Sequence, residues 1–266
     1  MKNLNVLVTG CASGIGRAVA ELLSSEGHTV FGIDKTDSEC DRFTSFSSDI
    51  TSEEELFGIR ERLSKDGVAL DAIVCVAGIH AMVSVVESDY SAIKRVIEVN
   101  LLGTMLTCRA LHGLLKKGGR VIIVTSEVAT YSPMPFNGIY NVSKTALECY
   151  ADTLRQELNL LGQRVITVRP GAVKTPLATD SLTKTEELVK STELYKNEAR
   201  HFSSLVQKFS GTPMAPELMA KTVYKALISK RPRLSYSKNR NPGLVMLSLL
   251  PKRWQCAVIK LMLNRN

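Results

Sequence analysis

Short apolar runs alternate along this chain with longer stretches in which apolar residues recur every three or four positions. The first run, residues 4–9, is followed by an amphipathic stretch at 14–26 and a second run at 29–33. Compact runs rich in Val and Ile read as strands, and the 3.6-residue period reads as helix. Further strands are expected at 70–76, 120–125 and 164–168, with helices near 52–64, 91–116 and 139–161. This alternation predicts βαβ units and a parallel sheet.

Local punctuation supports the boundaries. Ser52-Glu-Glu-Glu55 has the form of a helix N-cap followed by an acidic first turn, and Ser64-Lys-Asp-Gly67 reads as a helix-to-strand turn. From 175 to 213 the pattern gives way to polar and charged residues with scattered Leu, ending at Gly211-Thr-Pro-Met-Ala-Pro216. A mobile helical insertion or lid, about 176–215, fits that stretch better than another sheet unit. Helical periodicity resumes at 216–228. The expected organisation is one domain over 1–266, with that lid and a basic, apolar tail at about 230–266.

Composition narrows the class. With 266 residues, 44% of them apolar and 23% charged, the chain has the proportions of a soluble globular protein and enough length to bury a sizeable core. The net charge of +8 invites a nucleic-acid reading, but residues 230–266 hold nine Lys or Arg and no Asp or Glu. The first 229 residues are then left with 25 basic against 26 acidic side chains, so the body is not built to track phosphates and no nucleic-acid partner is expected. The six cysteines are far apart, without a CxxC pair or a zinc spacing, and several sit in apolar runs. They read as buried thiols of a reducing compartment, and no metal is expected. No signal peptide is apparent, and the longest apolar stretch, 244–250, is well short of a membrane span. A cytoplasmic location is expected.

Three groups of residues carry candidate chemistry. Thr9-Gly10-Cys-Ala-Ser13-Gly14-Ile15-Gly16 joins the first strand to the first helix, where backbone N–H groups and the positive helix end meet a pyrophosphate. Its spacing is not G-x-G-x-x-G, so alone it also reads as a set of turn glycines. Asp34 closes the second strand, where a carboxylate accepts hydrogen bonds from the adenosine ribose and repels a 2′-phosphate. NAD is therefore favoured over NADP, with Lys35 the one neighbour able to soften the preference. Tyr140 and Lys144 lie one helical turn apart, so that the ammonium lowers the phenol pKa. Tyr90 and Lys94 share the spacing, but only Tyr140 follows a strand-end hydroxyl, Ser126; Tyr90 reads as a surface residue at a helix start.

Taken in order, Thr9-Gly-x-x-x-Gly-Ile-Gly16, Asp34, Asp49-Ile-Thr51, Ala77-Gly78, Asn100, Ser126, Tyr140-x-x-x-Lys144 and Pro170-Gly-x-Val-x-Thr175 resemble the short-chain dehydrogenase/reductases along nearly the whole chain. The resemblance implies a single Rossmann-type, doubly wound parallel sheet flanked by helices on both faces. It implies that Tyr140 is the general acid/base and that Ser126 polarises the same substrate oxygen. Lys144 would bind the nicotinamide ribose and depress the Tyr140 pKa, while Asn100 would hold a proton-relaying water. It assigns the cofactor to Gly10, Ser13, Gly14, Ile15, Gly16, Asp34, Asp49, Ile50, Ala77, Gly78, Pro170, Gly171, Val173 and Thr175, together with Tyr140 and Lys144. Within that set Asp49 is similar to the adenine contact and Thr175 to the residue that orients the carboxamide. One departure stands out: Cys75-Val-Ala-Gly78 replaces the family's Asn-Asn-Ala-Gly. Asn100 also reads, on its own, as a buried amide bridging backbone, and Ser126 as a strand-end turn residue.

Val128, Tyr131, Met134, Phe136, Ile139 and Leu177 surround the expected pocket with few charges, so a lipophilic alcohol or ketone is the expected partner. The stretch 140–158 is similar to hydroxysteroid and retinol dehydrogenases. The leading expectation is an NAD-dependent oxidoreductase that interconverts a secondary alcohol and a ketone on a lipophilic, steroid-like substrate; the alternatives are a retinol-type primary alcohol dehydrogenase and a catalytically silent cofactor-binding regulator. The resemblance also implies a homodimer or homotetramer built through the helices at 91–116 and 139–161. The tail, as a helix after Pro251, has the composition to lie on an anionic membrane surface, to cover the cleft or to pack on another subunit.

Overall fold

In the computed structural model, residues 3–37, 40–209 and 212–264 are described; Gly211 and one of the nine tail cations, Arg265, lie outside them. Seven strands form one parallel sheet: β1 (Asn5–Thr9), β2 (Thr29–Asp34), β3 (Thr44–Ser47), β4 (Leu70–Cys75), β5 (Leu115–Val124), β6 (Arg164–Pro170) and β7 (Ser235–Lys238). Their spatial order is β3-β2-β1-β4-β5-β6-β7. The order reverses between β1 and β4, and in such sheets ligands bind in the crevice beyond the carboxyl ends at that point.

Side chains alternate across the sheet and split the core in two. Leu7, Ile33, Ile73 and Ile123 face α2 (Glu53–Lys65), α4 (Gly103–Leu111) and α5 (Gly138–Leu160), meeting Leu56, Leu111 and Leu147. Val6, Val8, Val74 and Ile122 point the other way, toward α1 (Gly14–Ser25) and α8 (Pro216–Ile228), where they pack on Val19, Leu23, Met219 and Val223. This is the doubly wound α/β fold expected from the alternation.

Several boundaries differ from expectation. The stretch 91–116 is not one helix: α3 (Tyr90–Ile97) passes through a π-helical segment, Glu98–Leu102, into α4, and Leu115 already belongs to β5. Within that π segment Asn100 bonds the backbone of the distant Ile79, a contact no local periodicity encodes. Strand β5 starts early, at Leu115, which pairs with Leu70 of β4 ahead of a register shift, and Lys116 beside it is 2.8 Å from Asp71. Strands β3 and β7, four residues each and largely polar, carry no apolar run to betray them. Ser52 does cap α2, accepting from the Glu55 N–H, and Gly67 turns the chain at φ +68°.

Residues 176–215 contain two helices, α6 (Pro176–Ser191) and α7 (Lys196–Phe209). A third apolar cluster joins them, through Leu188, Ala199 and Phe202, to Met82, Phe136 and Leu263. The chain ends in α9 (Pro242–Ser248) and α10 (Lys252–Leu263). Two connections hold the helix pair to the loop after β4. Lys184 Nζ donates to the His80 carbonyl at 2.6 Å, and the Glu87 carboxylate accepts from Thr192 Oγ1 and the Glu193 and Leu194 N–H groups at 2.6–3.0 Å.

Candidate active site

The loop between β1 and α1 is closed tightly on itself. Gly10 has φ +73°, and a Cβ there would stand 2.9 Å from the Ala77 backbone; a Cβ on Gly16 would lie 2.0 Å from the Gly10 carbonyl oxygen. Side chains are thus excluded where α1 presents its first N–H groups. Ser13 is the N-cap with an extended backbone, exposed, and its hydroxyl makes no cap bond. Thr9 Oγ1, unremarked in the sequence, accepts from the Val76 and Ala77 N–H groups and ties the loop to the end of β4. Thr175 caps α6 by accepting from the Ala178 N–H and lies beside Gly14. Ile15 packs part-buried on the α1–α8 core, where Val173 is buried. Pro170 ends β6, and Gly171 donates to the Lys238 carbonyl at 2.9 Å.

Asp34 stands at the carboxyl end of β2, its carboxylate accepting from the Ala12 and Thr36 N–H groups at 3.0 Å each. Lys35 does not reach it; its ammonium is 2.8 Å from Asp49. Asp49 is correspondingly committed. Burial favours its neutral form, but hydrogen bonds from Lys35 and from the Thr51 N–H and hydroxyl outweigh this and hold its pKa down at about 2. Ile50 beside it is buried in the core and meets Gly103. Cys75, where the family has Asn, turns into the core, its Sγ 4.0 Å from that of Cys108.

The other half of the site converges at the carboxyl end of β5. Ser126 follows that strand beside the Tyr140 hydroxyl, whose ionisation it favours, and its Oγ accepts from the Val128 N–H. Tyr140 and Lys144, one turn apart on α5, are both buried, and the Lys144 Nζ sits 5.8 Å from the phenol ring centre. Of the three Nζ donors, one points at the Val124 carbonyl at 3.3 Å. Gly78 lies against the same ammonium and against Asn100. Burial dominates both titrations: it pushes Tyr140 up to about 12, opposed only by the Ser126 hydrogen bond, and pushes Lys144 down to about 8. The expectation that Lys144 sets the tyrosine's acidity is corrected here, because desolvation is the larger influence on each group.

Asn100 is wholly buried. Its Oδ1 accepts from the Ile79 N–H at 2.7 Å, and its Nδ2 donates to the Ile79 carbonyl and to Ser143 Oγ, at 2.9 and 3.0 Å. Both amide protons are thus used to clamp the loop after β4 to α5, and Ser143 passes the contact on by donating to the Tyr140 carbonyl at 2.7 Å. His80, in that clamped loop, is a residue the sequence did not flag. Its ring meets that of Tyr140 edge-on, centres 4.5 Å apart, and its Nε2 lies 3.0 Å from Asn137 Oδ1. Tyr90, by contrast, is 77% exposed at the start of α3, with Lys94 paired to Glu98. Among the described residues no three His, Cys, Asp or Glu cluster as metal ligands.

A glycine-lined helix start, a carboxylate at the end of the next strand and a Ser–Tyr–Lys trio across the crevice are the parts this geometry brings together. The model of the family described as short chain dehydrogenase matches residues 4–186. The chain belongs to the short-chain dehydrogenases. Among similar proteins, this short-chain dehydrogenase is 34% identical over 181 residues to a 1-hydroxy-2-glutathionyl-2-methyl-3-butene dehydrogenase of a Rhodococcus species, covering 66% of this chain and 80% of the relative. It is 30% identical over 199 residues to an NADPH-dependent 1-acyldihydroxyacetone phosphate reductase of Schizosaccharomyces pombe, covering 71% and 67%. A crystal structure of a short chain dehydrogenase family protein from Francisella tularensis superposes with a TM-score of 0.74 at 26% identity, over 89% of this chain and 97% of that one. The protein is an oxidoreductase of the NAD(P)-dependent class.

The residues present fit such a cofactor. The cradle that side chains would fill is kept clear by Gly10 and Gly16, and a buried ammonium with donors to spare faces Gly78 across the crevice.

Proposed function

We propose that this short-chain dehydrogenase interconverts a secondary alcohol and a ketone on a lipophilic substrate with NAD as cofactor. The observation that carries the reading is the buried trio at the end of β5: Ser126, Tyr140 and, one turn further on α5, Lys144 with its Nζ 5.8 Å from the phenol ring centre. The bound nicotinamide supplies or accepts the hydride. Tyr140, protonated at neutral pH, donates its proton to the carbonyl oxygen in reduction and recovers one from the carbinol in oxidation. Ser126 shares that oxygen and steadies its developing charge. Lys144 holds the nicotinamide ribose hydroxyls with its remaining N–H donors. Asn100 positions the loop carrying Gly78, Ile79 and His80 rather than acting on substrate directly.

The glycine loop, Asp34, Ala77–Gly78 and Pro170–Thr175 form the cofactor's side of the crevice in this reading. Asp34 supports NAD over NADP, because a 2′-phosphate would meet a carboxylate while the nearest cation, Lys35, is bound to Asp49. Helices α6 and α7 act as the lid. Met82, Met134, Phe136 and Leu188 on their underside supply an apolar wall, which supports a lipophilic substrate. The named substrates of the two relatives, a glutathione conjugate and an acylated phosphate, lend no support to a steroid in particular, so a steroid is one member of the test panel. Leu102, Met105 and Val142 remain exposed on the helices beside the sheet and support assembly into a homodimer or homotetramer through α4 and α5.

The test is turnover, followed by NADH absorbance over steroid, retinoid and long-chain secondary alcohols, with NADP in parallel. Tyr140→Phe abolishes turnover and leaves NADH binding nearly intact. Undiminished turnover in that variant sinks the assignment.

A further inference from the structure

The tail is the part of the molecule that the reaction leaves unexplained. Helix α10 has two distinct faces. On the inner one, Ile259 and Leu263 pack into the cluster formed with Leu188, Ala199 and Phe202, and the Leu263 carbonyl lies 2.8 Å from His201 Nδ1 of α7. Buried Gln255 donates to the Leu250 carbonyl and fixes the turn from α9 into α10. The outer face is apolar and open. Trp254 is 66% exposed and Leu261 71%, and before them Met246 and Leu249 are 71% and 79% exposed. Trp254, Ala257 and Leu261 fall at helical spacing on one stripe, with Arg253, Cys256 and Lys260 on the stripe beside it. No carboxylate occurs anywhere from 230 to the end.

We propose that this outer face of α9 and α10 docks on the surface of an anionic lipid bilayer. Large apolar side chains held out in water, rimmed by cations, are the two components of interfacial binding: the apolar stripe enters the headgroup boundary and the cations meet acidic lipid. Tryptophan is the side chain most at home at that depth. The inner face is already spent on α7, so the tail does not need its outer face to stay folded. Charge complementarity decides the occupant, because α9 and α10 together carry three cations, Lys252, Arg253 and Lys260, and no anion, a face that repels its own copy while attracting acidic headgroups. Docking sets α7, and with it the lid, at the bilayer; that consequence for substrate supply rests on the function proposed above, whereas docking itself does not.

The chain has a single tryptophan, so its intrinsic fluorescence reports Trp254 alone. Full-length protein is titrated with vesicles of phosphatidylcholine, with and without phosphatidylglycerol, and binding is also read by co-sedimentation. Expected are a blue shift and co-sedimentation with the acidic vesicles only, both reversed at about 1 M salt, where the screening length falls to about 3 Å. Arg253→Glu combined with Lys260→Glu lowers the bound fraction at least tenfold, as does Leu249→Ser combined with Leu261→Ser, with unchanged circular dichroism and turnover of a water-soluble alcohol. No shift with acidic vesicles, or equal binding to neutral ones, overturns the proposal. So does a blue shift that grows with protein concentration in the absence of lipid, with a doubled mass by sedimentation, which would assign the face to a second copy. None of these readings requires turnover on a lipophilic substrate, so docking and the proposed reaction fail separately.

Discussion

Lys144 is 4% exposed, carries a hydrogen bond to one carbonyl, and has a pKa pushed from 10.5 down to about 8 by burial alone. At about 1.4 kcal/mol for each tenfold change in proton affinity, the displacement corresponds to about 3 kcal/mol spent on stripping water from the ammonium. Lys144→Met keeps the length of the side chain and removes the charge. Losing the bond to Val124 gives back about 1 kcal/mol, so the variant should be more stable by about 2 kcal/mol, or roughly 4–8 °C in melting temperature for a chain of this size. It should also be inactive, since the ribose loses its donor. The pH dependence gives a sharper check. Between pH 8 and 10 the native lysine releases its proton while the unfolded one retains it. The unfolded state then binds more protons, and wild-type stability rises with pH relative to the variant. The window closes near pH 10.5, where the unfolded lysine also releases its proton; Tyr140, raised to about 12 in the native state, is common to both proteins and lowers the stability of both alike from about pH 10. Urea unfolding of both proteins at pH 7, 8, 9 and 10 measures the gap. A variant less stable than wild type at pH 7, or a gap that does not shrink by pH 10, would refute the reasoning.

Gly16→Ala should abolish cofactor binding while Gly58→Ala stabilises the fold. The Cβ on Gly16 forces the Gly10 carbonyl back by about 1 Å, at a cost of about 1–3 kcal/mol; the one on Gly58, exposed in α2 with nothing within 4 Å, improves helix propensity by about 0.5–1 kcal/mol. Isothermal titration with NADH and thermal melts separate the two, and an unchanged NADH affinity in Gly16→Ala would contradict the tight-loop account. Asp34→Ser should raise the ratio of kcat/KM with NADP to that with NAD at least about tenfold, since a repulsion of roughly 3–4 kcal/mol between unit charges 4–6 Å apart is removed. A ratio that stays put would show that Asp34 does not face the 2′ position.

The sheet was readable because its strands are buried on both faces and therefore written as unbroken apolar runs, Val6–Val8 and Val121–Val124 being the clearest. The candidate site was readable where function demands residue types at local spacing: glycines that must let Gly10 and Gly16 touch, or a phenol and an amine one turn apart. What escaped is set by contacts between distant segments. Asn100, in the π segment, reaches Ile79 and Ser143, which lie 21 and 43 residues away. His80 has no motif partner, and only the fold puts its ring on Tyr140. The acidity of Tyr140 was misjudged for the same reason: adjacency in sequence announces the lysine, whereas burial is a property of the folded molecule.

Those distant contacts form a frame with a consequence for the lid. Tyr140 is held from below by Ser143 through its carbonyl, and Ser143 is held by Asn100. From the side it is held by the His80 ring, whose own backbone carbonyl is tied to Lys184 on α6. The first restraint belongs to the loop after β4 and to α5 and is independent of α6 and α7. The second passes through α6, and α6 and α7 are in turn seated on α10 by Leu188, Phe202, Ile259 and Leu263. A displacement of α6 that breaks the Lys184 bond therefore frees the His80 carbonyl without loosening the Asn100 clamp on the neighbouring Ile79. Tyr140 keeps its place on α5 while the wall beside it yields.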